Sequence, residues 1–144
     1  MSGETVAIGA DHAGFELKAV LAGELGRMGY SVLDLGTSGP DSVDYPDYAA
    51  AVVSAMSAGR ARWGVLVCGS GIGMSIAANR HPGIRAALCH DPEMARLARQ
   101  HNDANVLVLG ARLIDAAAAR ACLQIFFETA FEAGRHARRV AKLA

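Results

Sequence analysis

Short apolar runs alternate along the chain with stretches whose apolar residues recur every three or four positions. Val6-Ala7-Ile8-Gly9 reads as a first strand, and Leu17, Val20, Leu21, Leu25 and Met28 follow it at helical spacing. Ser31-Val32-Leu33-Asp34 is a short second strand. A loop rich in Gly, Ser, Pro and Asp then runs from Gly36 to Asp44, and Asp44 stands as an N-cap, with Tyr45 and Pro46 opening a helix towards Ala58. Trp63 to Cys68 is apolar throughout, as a strand covered on both faces must be. It turns through Gly69-Ser70-Gly71-Ile72-Gly73 into a short helix, Met74 to Asn79. Ile84 to Leu88 is a fourth strand. Asp91-Pro92-Glu93 places a cap, an N1 proline and a first-turn acid in sequence, ahead of a helix that carries Met94, Leu97 and Ala98 inward. Val106 to Leu109 is a fifth strand, and a long helix from about Asp115 is interrupted near Gly134, with a second helical piece after it.

Five strands alternating with helices predict an α/β fold: a single doubly wound, five-stranded parallel sheet of flavodoxin or Rossmann type with C-terminal helices. The simplest strand order is 2-1-3-4-5, and the 144 residues fit one domain, 1–144. Such sheets bind ligands beyond the carboxyl ends of the strands, where the strand order reverses. Here that point lies between strands one and three. The polar groups expected there are Asp11 and His12 after the first strand and the segment Cys68 to Gly73 after the third.

Composition narrows the function classes. Fourteen Lys+Arg balance fourteen Asp+Glu, so overall charge gives no reason to expect nucleic-acid binding or electrostatic docking to a membrane. One asymmetry survives: from Ala133 onward there are Arg135, Arg138, Arg139 and Lys142 and no acid. That tail is either a solvated helix end, where cations favour the dipole, or a collector of phosphate. The longest uncharged stretch, Trp63 to Asn79, is broken by glycines and does not read as a membrane span. Met1-Ser2-Gly3-Glu4 has no basic region leading into an apolar one, so a cytoplasmic location is expected. Cys68, Cys89 and Cys122 form no CxxC pair, and the histidines, His12, His81, His90, His101 and His136, are scattered with no HExxH, so no required metal is expected.

The Cys68–Gly73 turn carries the sharpest chemistry. Its glycines let backbone N–H groups approach a ligand, and the helix that follows points its N-terminus at the same place. The turn lacks the lysine of a Walker A loop and the third glycine of a dinucleotide fingerprint. Cys68, at the strand exit, is either a nucleophile or general base, or a small buried hydrophobe; Cys122, inside the long helix, reads as a core thiol, and Cys89 is ambiguous. His101 follows Leu97 by four positions and so leans towards the sheet; it can exchange protons at neutral pH or cap the helix end. Arg135 and Arg139 share a helix face, and Arg112 follows strand five at the same edge as Cys68. Guanidinium forks suit phosphate oxygens.

Taken together, Asp11-His12-Ala13-Gly14-Phe15, Asp44-Tyr45-Pro46, Cys68 to Gly73, Ala77-Ala78-Asn79, Arg99-Gln100-His101-Asn102-Asp103 and Gly134-Arg135-His136 resemble type B ribose-5-phosphate isomerase. The motifs occur in the family's order and span nearly the whole chain. The family also includes isomerases of allose 6-phosphate, galactose 6-phosphate and tetrulose phosphates. The resemblance implies a cofactor-free aldose–ketose isomerase, acting as a homodimer or dimer of dimers whose active sites draw on two subunits. It implies Cys68 as the group that moves a proton between C1 and C2, with Ser70 beside it. It implies His101, helped by Asn102, as the acid that opens the sugar ring. Asp11, His12, Tyr45 and the segment Gly69, Ser70, Gly71, Ile72 and Gly73 match substrate-binding positions, and Arg112, Arg135 and Arg139 match phosphate and hydroxyl contacts. One branch of the family carries a glutamate in place of the thiol, at the position of Met74; a methionine is no base, so this chain can run only the thiol chemistry.

Two rival readings make different demands. A non-catalytic phosphate- or nucleotide-binding module would bind without turnover and has no use for a thiol at Cys68. A thiol enzyme of acyl or phosphoryl transfer would trap a covalent adduct there.

Overall fold

The computed structural model describes residues 3–144; Met1 and Ser2, on which part of the N-terminal reading rests, lie outside the described residues. The strands are β1 (Thr5–Ala10), β2 (Ser31–Asp34), β3 (Trp63–Cys68), β4 (Ala86–Leu88) and β5 (Val106–Gly110). The helices are α1 (Phe15–Arg27), α2 (Tyr45–Ser57), α3 (Ile72–Asn79), α4 (Pro92–Asn102), α5 (Ala116–Glu128) and α6 (Arg135–Ala141). All four strand pairings are parallel.

The strand order is β2-β1-β3-β5-β4, which corrects the expected 2-1-3-4-5 at one edge. The reason is burial. β5 is apolar and buried at every position and belongs in the middle of the sheet, whereas β4 is three partly exposed residues and suits an edge. The helices divide accordingly. α1, α4 and α5 cover one face, where Leu21, Leu25, Ala95, Ala98, Leu123 and Phe126 pack on Ile8, Val65 and Leu107. α2 and α3 cover the other, where Val52, Met74 and Ala78 pack on Ala7, Leu66 and Val108. Connections that step towards β4 run over one face and those that step back run over the other, as a single crossover hand requires. Skipping a place from β3 to β4 therefore sends α4 back over the face of α1.

Two local features differ from what the pattern predicts. Met94 is 38% exposed, and α4 instead buries Ala95, Ala98 and Arg99. Arg99 reaches the interior because its guanidinium is paired there: it donates to Asp103 Oδ1 (2.8 Å) and the Ala104 carbonyl (2.7 Å) and lies over the Trp63 ring, 4.8 Å from its centre. The long helix ends at Glu128 rather than near Gly134: Thr129 turns extended, and its hydroxyl donates to the Ile125 carbonyl. No helix among the described residues is long and apolar enough to cross a membrane.

Candidate active site

The carboxyl edge of the sheet is a level platform. Ala10 is the register partner of Val67, and Cys68 of Gly110, so β1, β3 and β5 end together. The chains leaving them are tied by backbone bonds. The Asp11 N–H donates to the Val67 carbonyl (3.3 Å), Ala111 to Cys68 (2.8 Å) and Arg112 to Gly69 (2.9 Å). Above this platform opens a cavity of about 550 Å3 into which Asp11, Tyr45, Cys68, Ser70 and Arg112 bring polar groups, beside Gly69 and Gly73. Ile72, Ile76 and Leu113 form an exposed apolar rim.

The glycine loop is shaped by what lies against it. Gly71 caps α3 at φ +79°, a conformation that favours glycine, and a Cβ there would come within 2.4 Å of Leu88 Cδ1. A Cβ on Gly69 would meet Arg112 Nη1 at 2.8 Å, and one on Gly73 would meet the Tyr45 ring at 2.6 Å. The missing side chains thus let a guanidinium and a phenol close over the loop from two sides. The Ser70 hydroxyl accepts the Ile72 N–H (3.2 Å), which leaves its own proton free to donate. The other first-turn N–H groups of α3 have no acceptor within the helix and face the same end of it.

Cys68 is only 5% exposed, yet it lines the cavity. The other two thiols do not. Burial pushes Cys89 up to about 12 and Cys122 up to about 11, and both sit in the core under the α1, α4 and α5 face. That settles Cys89 as a core thiol beside Cys122. Asp11 spends one carboxylate oxygen on a turn: Oδ1 accepts from the Ala13 N–H (3.0 Å) and the Gly14 N–H (3.1 Å). His12 is turned towards the loop of residues 36–44, where its Nδ1 accepts the Val43 N–H (3.2 Å). In the neutral ring this leaves the proton on Nε2, as a donor.

His101, Asn102, Arg135 and Arg139 are not in this cavity. α4 runs back to the amino edge of the sheet, ends at Asn102 and leads into Val106, which starts β5 level with Gly64 near the start of β3. His101 is thus separated from Cys68 by the length of the strands, roughly 13 Å at about 3.3 Å per residue. Asn102 lines a different cavity, of about 420 Å3, with Asn79, Arg85 and Leu143. Arg135 and Arg139 are exposed on α6, which packs against α4 at that same edge. The expectation that His101 leans on the sheet is corrected as well. Its ring stacks on His136, with centres 4.3 Å apart and planes at 14°, and both Nε2 atoms lie 3.9 Å from Glu132 Oε1. Burial, and then the neighbouring His101, hold the His136 imidazole below its usual range. Two of the supposedly scattered histidines therefore meet at one carboxylate. The i, i+4 spacing of Glu132 and His136 is the one signal that could have announced it.

The Ribose/Galactose Isomerase family model matches residues 6–143. The chain is 43% identical to ribose-5-phosphate isomerase B of Escherichia coli (strain K12), over 94% of this chain and 91% of that protein. It is 40% identical to a D-erythrulose-4-phosphate isomerase of Pectobacterium atrosepticum, over 96% and 92%. The crystal structure of a ribose 5-phosphate isomerase from Thermotoga maritima superposes with a TM-score of 0.94 at 53% identity, covering 97% of each chain. The chain belongs to the ribose/galactose isomerase family.

Proposed function

We propose that the chain interconverts D-ribose 5-phosphate and D-ribulose 5-phosphate, as a cytoplasmic homodimer or dimer of dimers that needs no cofactor. The observation that carries this reading is the cavity at the strand ends, where the Cys68 thiol, the Asp11 carboxylate and the Arg112 guanidinium converge on the glycine loop. Its size and polar lining suit a small phosphorylated sugar. The relatives' names support an isomerase, and the D-erythrulose 4-phosphate enzyme among them keeps a tetrulose phosphate as the alternative substrate, with allose and galactose 6-phosphates behind it.

The sugar arrives mostly as a ring. His101, with Asn102 beside it, gives a proton to the ring oxygen, while Asp11 takes the proton of the anomeric hydroxyl. The open aldose has a weakly acidic C2–H next to its carbonyl. Cys68, as thiolate, takes that proton, and the electron pair moves into a cis-enediolate. Its charge is met by the first-turn N–H groups of α3 and by the Ser70 hydroxyl, which can move a proton between O1 and O2. Returning the Cys68 proton to C1 completes the ketose. His12, donating through Nε2, and Tyr45 border the sugar. Arg112, Arg135 and Arg139 hold phosphate and hydroxyl oxygens, so that C1 and C2 are aligned with the sulfur.

His101 and Cys68 stand at opposite edges of one chain, so this chemistry requires a second copy to bring His101, Asn102, Arg135 and Arg139 over the Cys68 cavity. The apolar rim of Ile72, Ile76 and Leu113 gives such a partner a surface to cover.

The test is proton NMR in D2O with ribose 5-phosphate, then erythrulose 4-phosphate and allose 6-phosphate. Solvent deuterium should enter at C1 or C2 as ketose appears, fastest with ribose 5-phosphate. Binding without turnover, or a covalent adduct on Cys68, would overturn the proposal.

A further inference from the structure

We propose that His101, Glu132 and His136 form a binding site for a divalent transition-metal ion, zinc foremost, at the amino edge of the sheet, away from the Cys68 cavity of the same chain. Two imidazole nitrogens and one carboxylate oxygen are a donor set that zinc takes with further positions left open, and one that magnesium and calcium do not select.

The three donors already lie close. Each Nε2 is 3.9 Å from Glu132 Oε1, and all three ligand atoms fall within 4.8 Å of one another. A tetrahedral zinc with bonds of about 2.0–2.1 Å holds its donors roughly 3.4 Å apart, so each has about an ångström to move. The site can supply that movement. His136 is the fixed ligand, with 12% of its side chain exposed, while His101 and Glu132 are 40% and 51% exposed. The stacked rings lie nearly parallel, so their lone pairs converge only after the freer His101 ring turns about χ2. The backbone holds the segments together without the ion. The Glu132 N–H donates to the Gln100 carbonyl (3.1 Å), the His136 N–H to the Ala133 carbonyl (2.9 Å) and Arg99 Nε to the Thr129 carbonyl (3.2 Å). α4, the 129–134 turn and α6 thus present one ligand each.

Arg135 and Arg139 stand on the same helix as His136 and oppose a bare dication. The site is therefore one for an ion that binds reversibly, not a structural centre. An ion bound there occupies the His101 lone pair. On the function proposed above, and resting on it, zinc then slows turnover of the cyclic sugar phosphate by removing the ring-opening acid.

The experiment is a cobalt(II) titration of the full-length protein followed by visible absorption, with zinc as competitor. One ion per chain is expected, with d–d bands and displacement by zinc. Cys68→Ser should still bind one ion per chain. Glu132→Gln and His136→Gln should each weaken binding by at least about tenfold, with circular dichroism showing the fold retained. The half-exposed Glu132 keeps the test open should His136→Gln unfold. No binding, binding unchanged in both variants, or binding lost with Cys68→Ser would overturn the site. Cobalt binding as expected, with zinc leaving cyclic turnover untouched, upholds the site and removes His101 from ring opening.

Discussion

Cys68 closes β3 in register with Gly110 at the end of β5, and His101 lies five residues ahead of Val106 at the start of that same β5. Strand β5 therefore measures the distance between thiol and imidazole, and no side-chain rotation within one chain closes it. If the active site joins Cys68 of one copy to His101 of another, Cys68→Ala and His101→Asn should complement each other. Each variant alone should be nearly inactive on cyclic ribose 5-phosphate. After mixing, dissociation and reassociation at equal amounts, roughly a quarter of wild-type activity should return, because half the dimers are mixed and each mixed dimer has one intact site. No recovery after verified subunit exchange would show that Cys68 and His101 do not act together at a shared site.

The glycine loop makes a graded prediction. Gly69→Ala pushes the Cβ against the flexible end of Arg112, so the fold should be kept and KM for phosphorylated substrate should rise. Gly73→Ala meets the Tyr45 ring and should lower kcat/KM on the order of tenfold, while stability shifts by less than about 1 kcal/mol. Gly71→Ala adds a positive φ to contact with Leu88 and should be the most destabilising of the three by thermal unfolding.

Thiol labelling separates the cysteines. Burial raises Cys89 to about 12 and Cys122 to about 11, so both remain protonated throughout the neutral and mildly alkaline range while the chain is folded. A raised folded value means that thiolate formation favours the unfolded chain, so these two weaken the fold only as pH rises past the unfolded thiol range, near ~8.5. An aromatic disulfide reagent at pH 8 should modify one thiol per native chain, at Cys68, and three after denaturation. Saturating sugar phosphate should protect that one thiol.

Arg99 ties the end of α4 to the core. Arg99→Met keeps the apolar packing on Trp63 and Phe126 but leaves Asp103 Oδ1 and the Ala104 and Thr129 carbonyls without this donor, and Asp103 keeps only the 3.4 Å contact of its Oδ2 with Arg85. A loss of about 3 kcal/mol is expected by denaturant unfolding. The double variant Arg99→Met, Asp103→Asn should recover little of it, since it also takes the carboxylate partner from Arg85.

The sheet and its helices were legible where local signals were strong. The apolar run into Cys68, the glycine turn and the Asp91-Pro92-Glu93 cap all stand where the pattern puts them. The exchange of β4 and β5 was harder to see because edge and centre differ in burial rather than in periodicity, and Ala86-Ala87-Leu88 is as apolar as a central strand. The end of α5 at Glu128 had no glycine or proline to mark it. At the site, Asp11, Tyr45, Cys68, Ser70 and Arg112 meet because each follows or faces a strand end, which sequence order reveals. That His101 and Arg135 lie at the far edge follows from the return direction of α4, a property of the whole topology that no local motif carries.

Gly110 and Gly71 abut main-chain atoms: a Cβ on Gly110 would meet the Ser70 carbonyl oxygen at 2.4 Å, and one on Gly71 would also meet the Leu109 carbonyl carbon at 3.1 Å. Mutational drift can hardly retouch ground made of backbone. Diversification towards shorter or longer sugars must then proceed through the replaceable rim, at Tyr45, Ile72, Ile76 and Leu113, while the reactive base stays as it was inherited.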